Sequence, residues 1–192
     1  MSHCLTLADR LAPQVDLKSD AVCIIAGTIL IALCSTIEIP LRPVPITGQT
    51  FGILFAAALL GARRGAGAAA LFVFSGIAGV PVFSGGSCGV HHLFGPTGGY
   101  LAGFVVAASL VGFLARKGFN RDFSGAVLSM ALGNIVIYAF GVLWLSTFVG
   151  WYHAFISGVL PFLFGDTCKI ILAASLLPGC HRTNAIKPFR PA

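Results

Sequence analysis

The chain has 192 residues, of which 57% are hydrophobic and only 9% charged, with 24 glycines and 10 prolines. A soluble domain carries roughly 25% charged residues, so this composition excludes a water-covered globule, and with it a soluble enzyme or a nucleic-acid module. The formal charge of +6 does not reopen the second class, because twelve Lys and Arg spread along the whole chain make no phosphate-tracking groove. What remains is an all-α integral membrane protein of several spans, each about 20 apolar residues long.

Residues 1–20 mix Asp9, Arg10, Asp16, Lys18 and Asp20 where the apolar core of a cleaved signal would begin. They are expected to form a cytoplasmic N-terminal segment ahead of a transmembrane domain at 21–178 and a basic cytoplasmic tail at 179–192. Span one is the uncharged run 21–37, ended by Glu38, Pro40, Pro43 and Pro45. Span two is 51–62, short by itself, although the uncharged stretch starts at Val44 and its Gly48-Gln49-Thr50 entry suits an interior cavity better than lipid. No Asp, Glu, Lys or Arg occurs from Gly65 to Ala115. That stretch holds span three at 65–80, a glycine-dense loop at 81–97 broken by Pro96, and span four at 98–115. Span five covers 123–149. Span six covers 155–177, with Pro161 near its start.

The placement of the cations tests the count of six. Arg10, Lys18, Arg63, Arg64, Arg116, Lys117, Arg121, Arg182, Lys187 and Arg190 all fall on one side of a six-span chain, against Arg42 on the other and Lys169 inside span six. Lys and Arg concentrate in short cytoplasmic loops, so both termini are expected in the cytoplasm and the protein in the cell membrane, multi-pass, with lipid around it.

Small residues recur at helical spacing in Thr28 and Ala32, in Gly99, Gly103 and Ala107, and in Gly125, Ser129 and Gly133. Such stripes let helix backbones approach closely in lipid, within the chain or against a partner subunit. The cysteines (Cys4, Cys23, Cys34, Cys88, Cys168, Cys180) show no pairing or zinc-type spacing and read as small apolar side chains.

Asp166 and Lys169 stand three apart on one helical face inside an apolar span. An ionisable residue in the membrane is costly and normally faces a cavity or a partner, so the two are either a structural ion pair or a ligand site near the outer end of the span. Asn134 and Tyr138, four apart on span five, present an amide and a phenol on one face, and Trp144 lies further along. These fit interhelical packing or an interfacial belt as well as a site. The outer loop ends at Gly98 and Gly99, a helix start whose amides suit an anion. His91 and His92 are adjacent and point apart, without Asp or Cys at ligand spacing, so no metal site is expected. No phosphate-binding loop and no hydrolase or metalloprotease motif is present, which disfavours an enzyme.

Six strings then carry a resemblance: Pro43-Val-Pro-Ile-Thr-Gly-Gln-Thr50, Leu60-Gly with Arg64-Gly65, Gly79-Val-Pro-Val-Phe83, Gly95-Pro-Thr-Gly-Gly-Tyr-Leu101, Val159-Leu-Pro-Phe162 and Gly165-Asp-x-x-Lys169. In this order, over residues 39–177, the sequence resembles BioY, the biotin-binding substrate-specificity (S) component of energy-coupling factor (ECF) transporters. The resemblance implies a six-helix S-component bundle with an outward-opening biotin pocket and no cofactor of its own. It also implies a transmembrane coupling subunit and two ATPase subunits as partners. Asp166 and Lys169 match the family's ligand-binding pair. By analogy Asn134, Tyr138, Trp144, Phe83, Gly86, Thr97, Tyr100 and Gln49 complete the pocket, and Thr28 with Ala32 stands where the family docks on its coupling subunit, usually as Ala-x-x-x-Ala. Cys88, His91 and His92 depart from the glycine and aliphatic residues usual in the outer loop. A solitary biotin carrier is the competing reading, ahead of a membrane-embedded enzyme using Asp166 and Lys169 or a purely structural bundle.

Overall fold

The computed structural model describes residues 17–183, with side chains through 177. The expectations placed on Cys4, Arg10, Lys187 and Arg190, and with them most of the two terminal segments, lie outside the described residues. Within them the chain is almost entirely helical: α1 (Leu17–Ser35), α2 (Gln49–Leu60), α3 (Ala62–Ile77), α4 (His91–Phe94), α5 (Gly98–Arg116), α6 (Phe123–Val149), α7 (Trp151–Gly158) and α8 (Leu160–Thr183).

Local chemistry explains the joints. Gly61 and Gly150 adopt positive φ (82° and 79°) between α2 and α3 and between α6 and α7, a conformation that disfavours any residue with a Cβ. Asp122 caps α6 by accepting the Gly125 amide at 2.9 Å and the Ser124 hydroxyl at 2.6 Å. Those bonds, the Ser124 hydroxyl first, hold the exposed carboxyl below the usual carboxylate range. At Val159 the backbone leaves the helix (φ −127°, ψ −57°), so the last apolar stretch is two helices rather than one. Pro161 follows in the first turn of α8, where its missing N–H costs nothing.

Between α1 and α2 the proline-rich segment forms a two-stranded antiparallel hairpin, β1 (Glu38–Ile39) and β2 (Ile46–Thr47), pairing Glu38 with Thr47 and Ile39 with Ile46. Val44 and Thr47 are buried. The second strand is thus turned into the bundle, while Ile39, Pro40, Leu41 and Arg42 at the hairpin's tip are exposed.

Among the described residues four helical stretches are long and apolar enough to cross a membrane: Leu17–Ser35, Gly98–Arg116, Phe123–Val149 and Trp151–Leu177, the last running through the joint at Val159. α2, at 12 residues, is about 18 Å long, shorter than the roughly 30 Å hydrocarbon core. The outward faces are apolar, as Val22, Ile29 and Leu33 on α1, Phe74 on α3 and Leu128, Ile135 and Leu143 on α6 all show large exposure.

The small-residue stripes are used inside the bundle. A Cβ on Gly103 would lie 3.2 Å from the Ile137 Cα, one on Gly133 would sit 2.5 Å from Val111, and one on Gly65 would sit 2.7 Å from the Ala57 Cα. Helix backbones therefore touch at Gly65 and Gly103, and at Gly133 the side chains of Val111 and Leu54 fill the space. At Gly112 a Cβ would lie 2.4 Å from the Ala62 nitrogen of the α2–α3 joint. Gly112→Val is expected to destabilise the protein by about 1–3 kcal/mol, the usual cost of overpacking, and to lower its melting temperature in detergent. An unchanged melting temperature would mean that this crossing yields.

The stripe on α1 makes contacts within the chain. The Thr28 hydroxyl donates to the Ala68 carbonyl of α3 at 3.1 Å, and Ala32 packs against the core. Both residues are engaged within the chain, and the open face of α1 is formed instead by Val22, Ile25, Ile29 and Leu33. Arg63 and Arg64, expected in a loop, lie in the first turn of α3. Arg64 is only 7% exposed and pairs with Asp20 at 2.6 Å.

Candidate ligand-binding site

A cavity of about 390 Å³ opens between the hairpin, α2, the 81–97 loop, α5, α6 and α8. Its volume suits a small organic molecule. One side is built by helices and carries a polar cluster; the other is built by loops.

The cluster centres on Asp166, which is 2% exposed. α8 places Lys169 one turn further on, with its ammonium 2.8 Å from Asp166 Oδ1. The Thr50 hydroxyl donates to the same oxygen at 3.0 Å. Oδ2 accepts the Tyr138 hydroxyl at 2.6 Å and the Asn134 amide at 3.1 Å. Asn134 and Tyr138 reach one carboxylate because their spacing of four puts them on the same face of α6. Lys169 also donates to the Thr47 carbonyl at 2.5 Å and to the Thr50 hydroxyl at 3.2 Å, which ties α8 to the hairpin and to the start of α2. Four donors on a buried carboxylate, one of them cationic, satisfy the charge. Among the described residues the buried Asn134 Oδ1 has no hydrogen-bond partner, and Asn134 lines a separate void of about 10 Å³ beside the cluster, so it supports the carboxylate without lining the main cavity.

Tyr100, on α5, lines the cavity with its hydroxyl donating to the Gly158 carbonyl at 2.8 Å, which fastens α5 to the end of α7. Leu101, Phe104, Ile137 and Phe162 give the apolar walls.

The loop side is pinned from several directions. The Ser35 hydroxyl donates to the Val82 carbonyl and the Ser84 hydroxyl to the Glu38 carboxylate. Phe83 is buried and stands edge-on to Phe72 (5.7 Å, 75°) and to His92 (5.3 Å, 67°). The Thr97 hydroxyl donates to the His92 carbonyl at 3.1 Å. Burial first, then the neighbouring His91, lowers the pKa of His92 below the ordinary histidine value and so favours its neutral ring.

Of the residues expected at a site, Asp166, Lys169, Tyr138, Phe83, Thr97, Tyr100 and Gln49 line this cavity together. Trp144 does not: it lines an external groove with Phe94 and Phe140, and its indole N–H donates to the Gly95 carbonyl at 2.9 Å. Gly86 ends a short 3-10 turn with φ 68° and nothing within 4 Å of its Cβ position, away from the cavity lining. The start of α5 is not an open anion site, because the Gly98 amide donates to the Gly95 carbonyl and both glycines lie against backbone of neighbouring elements. Sequence reasoning missed Glu38, Thr47, Thr50 and Ser84. Thr47 and Thr50 flank Gln49 in a quoted motif, which was signal enough, whereas nothing marked Glu38 and Ser84 as neighbours.

Comparison with known proteins gives a consistent picture. The sequence model of the BioY family matches residues 9–185. The probable biotin transporter BioY of Pyrococcus horikoshii is 37% identical over 160 residues, covering 82% of this chain and 93% of that protein. The biotin transporter BioY of Thermotoga maritima is 40% identical over 148 residues, covering 77% and 86%. The crystal structure of the S-component for biotin from an ECF-type ABC transporter superposes with a TM-score of 0.77 at 27% identity, over 88% of this chain and 95% of that one.

Proposed function

The chain belongs to the BioY family, and from that premise we propose that it captures biotin from outside the cell with high affinity and carries it inward as the substrate-specificity subunit of an ECF-type transporter. The observation that carries this reading is the buried Asp166 cluster set beside the apolar walls of the cavity. Biotin has a ureido ring with two N–H donors and one carbonyl, an apolar bicycle and an aliphatic acid chain. A buried carboxylate accepts ureido N–H, an ammonium and hydroxyls serve the carbonyl, and Phe104, Ile137 and Phe162 cover the apolar parts.

All four contacts on Asp166 are already taken within the chain. Binding therefore exchanges partners: a ureido N–H takes the place of the Thr50 or Tyr138 hydroxyl, and the freed hydroxyl turns to the ligand. This keeps the carboxylate satisfied in both states, so neither state leaves a buried charge bare.

We further propose six spans with both termini in the cytoplasm, α2 and α3 completing the set beside the four long apolar stretches. The cytoplasmic ends at 1–20 and 179–192 flank the transmembrane domain at 21–178. A coupling subunit with two ATPases supplies the energy, docking on the open face of α1 rather than on Thr28 and Ala32. No cofactor is needed for binding.

The test is uptake of labelled biotin by cells lacking their own uptake system, with the chain expressed alone or together with a coupling subunit and two ATPases. Accumulation that requires the module supports the reading. Equal accumulation without it would make the chain a solitary carrier, and none in either case would overturn the assignment.

A further inference from the structure

The fixed charge of the cavity opposes the arrival of an acid. Asp166 and Glu38 bring two carboxylates to its lining against the single ammonium of Lys169, and that ammonium already serves Asp166, Thr47 and Thr50. Glu38 accepts the Ser84 hydroxyl and is in no ion pair among the described residues. Biotin is itself a carboxylate at pH 7, so a cation outside the cavity is needed to make its approach favourable.

That cation stands at the border. A second, shallower hollow of about 660 Å³ is lined by Arg42, Pro43, Pro96, Val149, His153 and Ser157. Pro43 and Pro96 line the main cavity as well, so the two spaces abut across those rings. No Asp or Glu lines the hollow, and the Ser157 hydroxyl is spent on the His153 carbonyl. Arg42 is exposed and makes no hydrogen bond or ion pair among the described residues. Its place is nevertheless set by the hairpin. The ladder pairs Glu38 with Thr47 and Ile39 with Ile46, and the rings of Pro40 and Pro43 restrict the backbone on either side of the tip. A stiff turn thus holds an unpaired guanidinium beside a cavity whose own cation is engaged.

We infer that the Arg42 hollow is an outer landing site for the ligand's carboxylate, where Arg42 draws the anion to the border of the cavity before the ligand passes Pro43 and Pro96. The inference rests on the reading of the cavity as a biotin site. Arg42 then acts on the rate of arrival, because one sign of charge at the rim of a cleft raises the local concentration of an oppositely charged ligand. The seated ligand is held by the Asp166 cluster.

The test measures association and dissociation rates of biotin and of biotinamide, which has the same ring and chain without the charge, on the purified full chain in neutral detergent. At low salt Arg42→Gln is expected to slow biotin association about fivefold, the scale of one unit charge met at contact distance in water. Biotinamide association and biotin dissociation should stay at their wild-type rates, and high salt should erase the difference between the two chains. Arg42→Lys keeps the charge and should stay near the wild type. Arg63→Gln removes an equal charge from the first turn of α3, beside the Asp20–Arg64 pair and so roughly 22 Å along α1 from the hairpin, and should change neither rate. Unchanged biotin association in Arg42→Gln, equal slowing of both ligands, equal slowing in Arg63→Gln, or an effect on dissociation alone would overturn the inference and leave the biotin reading standing. Failure of the wild-type chain to bind biotin would instead overturn that reading. Should Arg42→Gln not fold, Arg42→Met carries the same comparison.

Discussion

Asp166→Asn is expected to weaken biotin binding ten- to a hundredfold, the range for a hydrogen bond involving a charged group, while the protein still inserts in the membrane. The carboxylate is 2% exposed and receives Tyr138, Lys169, Thr50 and Asn134. An amide offers one acceptor oxygen and places an NH2 against groups that are themselves donors. The Lys169 ammonium then lacks its counter-charge, and removing one partner of a buried pair costs about 3–5 kcal/mol. Apo stability therefore falls as well as affinity. Lys169→Ala leaves the carboxylate three neutral donors and should be the milder change in stability. A purely structural ion pair makes a different prediction: Asp166→Leu with Lys169→Leu would regain the lost stability. Here the double replacement leaves Tyr138, Thr50 and Asn134 without their acceptor, so recovery should be incomplete. Melting temperature and biotin affinity measured side by side separate the two accounts, and full affinity in Asp166→Asn would sink the assignment.

The second large effect is expected from a residue with no polar chemistry. Gly141, on α6, faces the Tyr100 ring so closely that a Cβ there would lie 2.2 Å from Cε1 and 2.4 Å from Cδ1 and Cζ. Tyr100 cannot retreat along its own axis, because its hydroxyl is bonded to the Gly158 carbonyl and a Cβ position on Gly158 is already only 2.5 Å from that oxygen. The ring's remaining direction is into the cavity it lines. Gly141→Val should therefore fill part of the roughly 390 Å³ available, cost about 1–3 kcal/mol in stability and reduce biotin affinity at least tenfold. Tyr100→Phe is the control: it loses the bond to Gly158 but keeps the ring in place, so its affinity should stay near wild type while its melting temperature falls. Wild-type affinity in Gly141→Val would show that the ring has another place to go.

The bundle was legible wherever charge and hydropathy change abruptly. The uncharged runs at 98–115 and 123–149 became α5 and α6 almost to the residue, because Arg116 and Asp122 bound them. The break at Val159 was not legible, since the residues around it are apolar on both sides and only the backbone departs. Nor was the hairpin, whose two-residue strands are too short to show a period. That hairpin matters to the site, for it delivers Thr47 to Lys169.

Spacing revealed the Asp166–Lys169 pair and the shared face of Asn134 and Tyr138, because one helical turn is a fixed distance. Rotation of a helix about its axis is another matter. Ile135 and Leu143 are exposed on α6 while Met130 and Ile137 are fully buried, although all four are apolar. In lipid the pattern of polarity no longer says which side faces in, so the sequence alone does not tell that Trp144 lines an external groove rather than the cavity. Partners brought together across the chain, such as Glu38 with Ser84, depend on loop geometry that pattern does not encode.

The most direct measurement of the central claim is equilibrium titration of the purified chain with biotin, desthiobiotin and lipoate. Biotin and desthiobiotin share the ureido ring that Asp166 is proposed to recognise, whereas lipoate has an acid chain on a ring without N–H donors. The account predicts one site that binds both ureido compounds and binds lipoate at least a hundredfold more weakly, the loss expected when a site built for hydrogen-bond donors meets a ligand without them. Lipoate binding as tight as biotin, or no binding of either ureido compound, would contradict it.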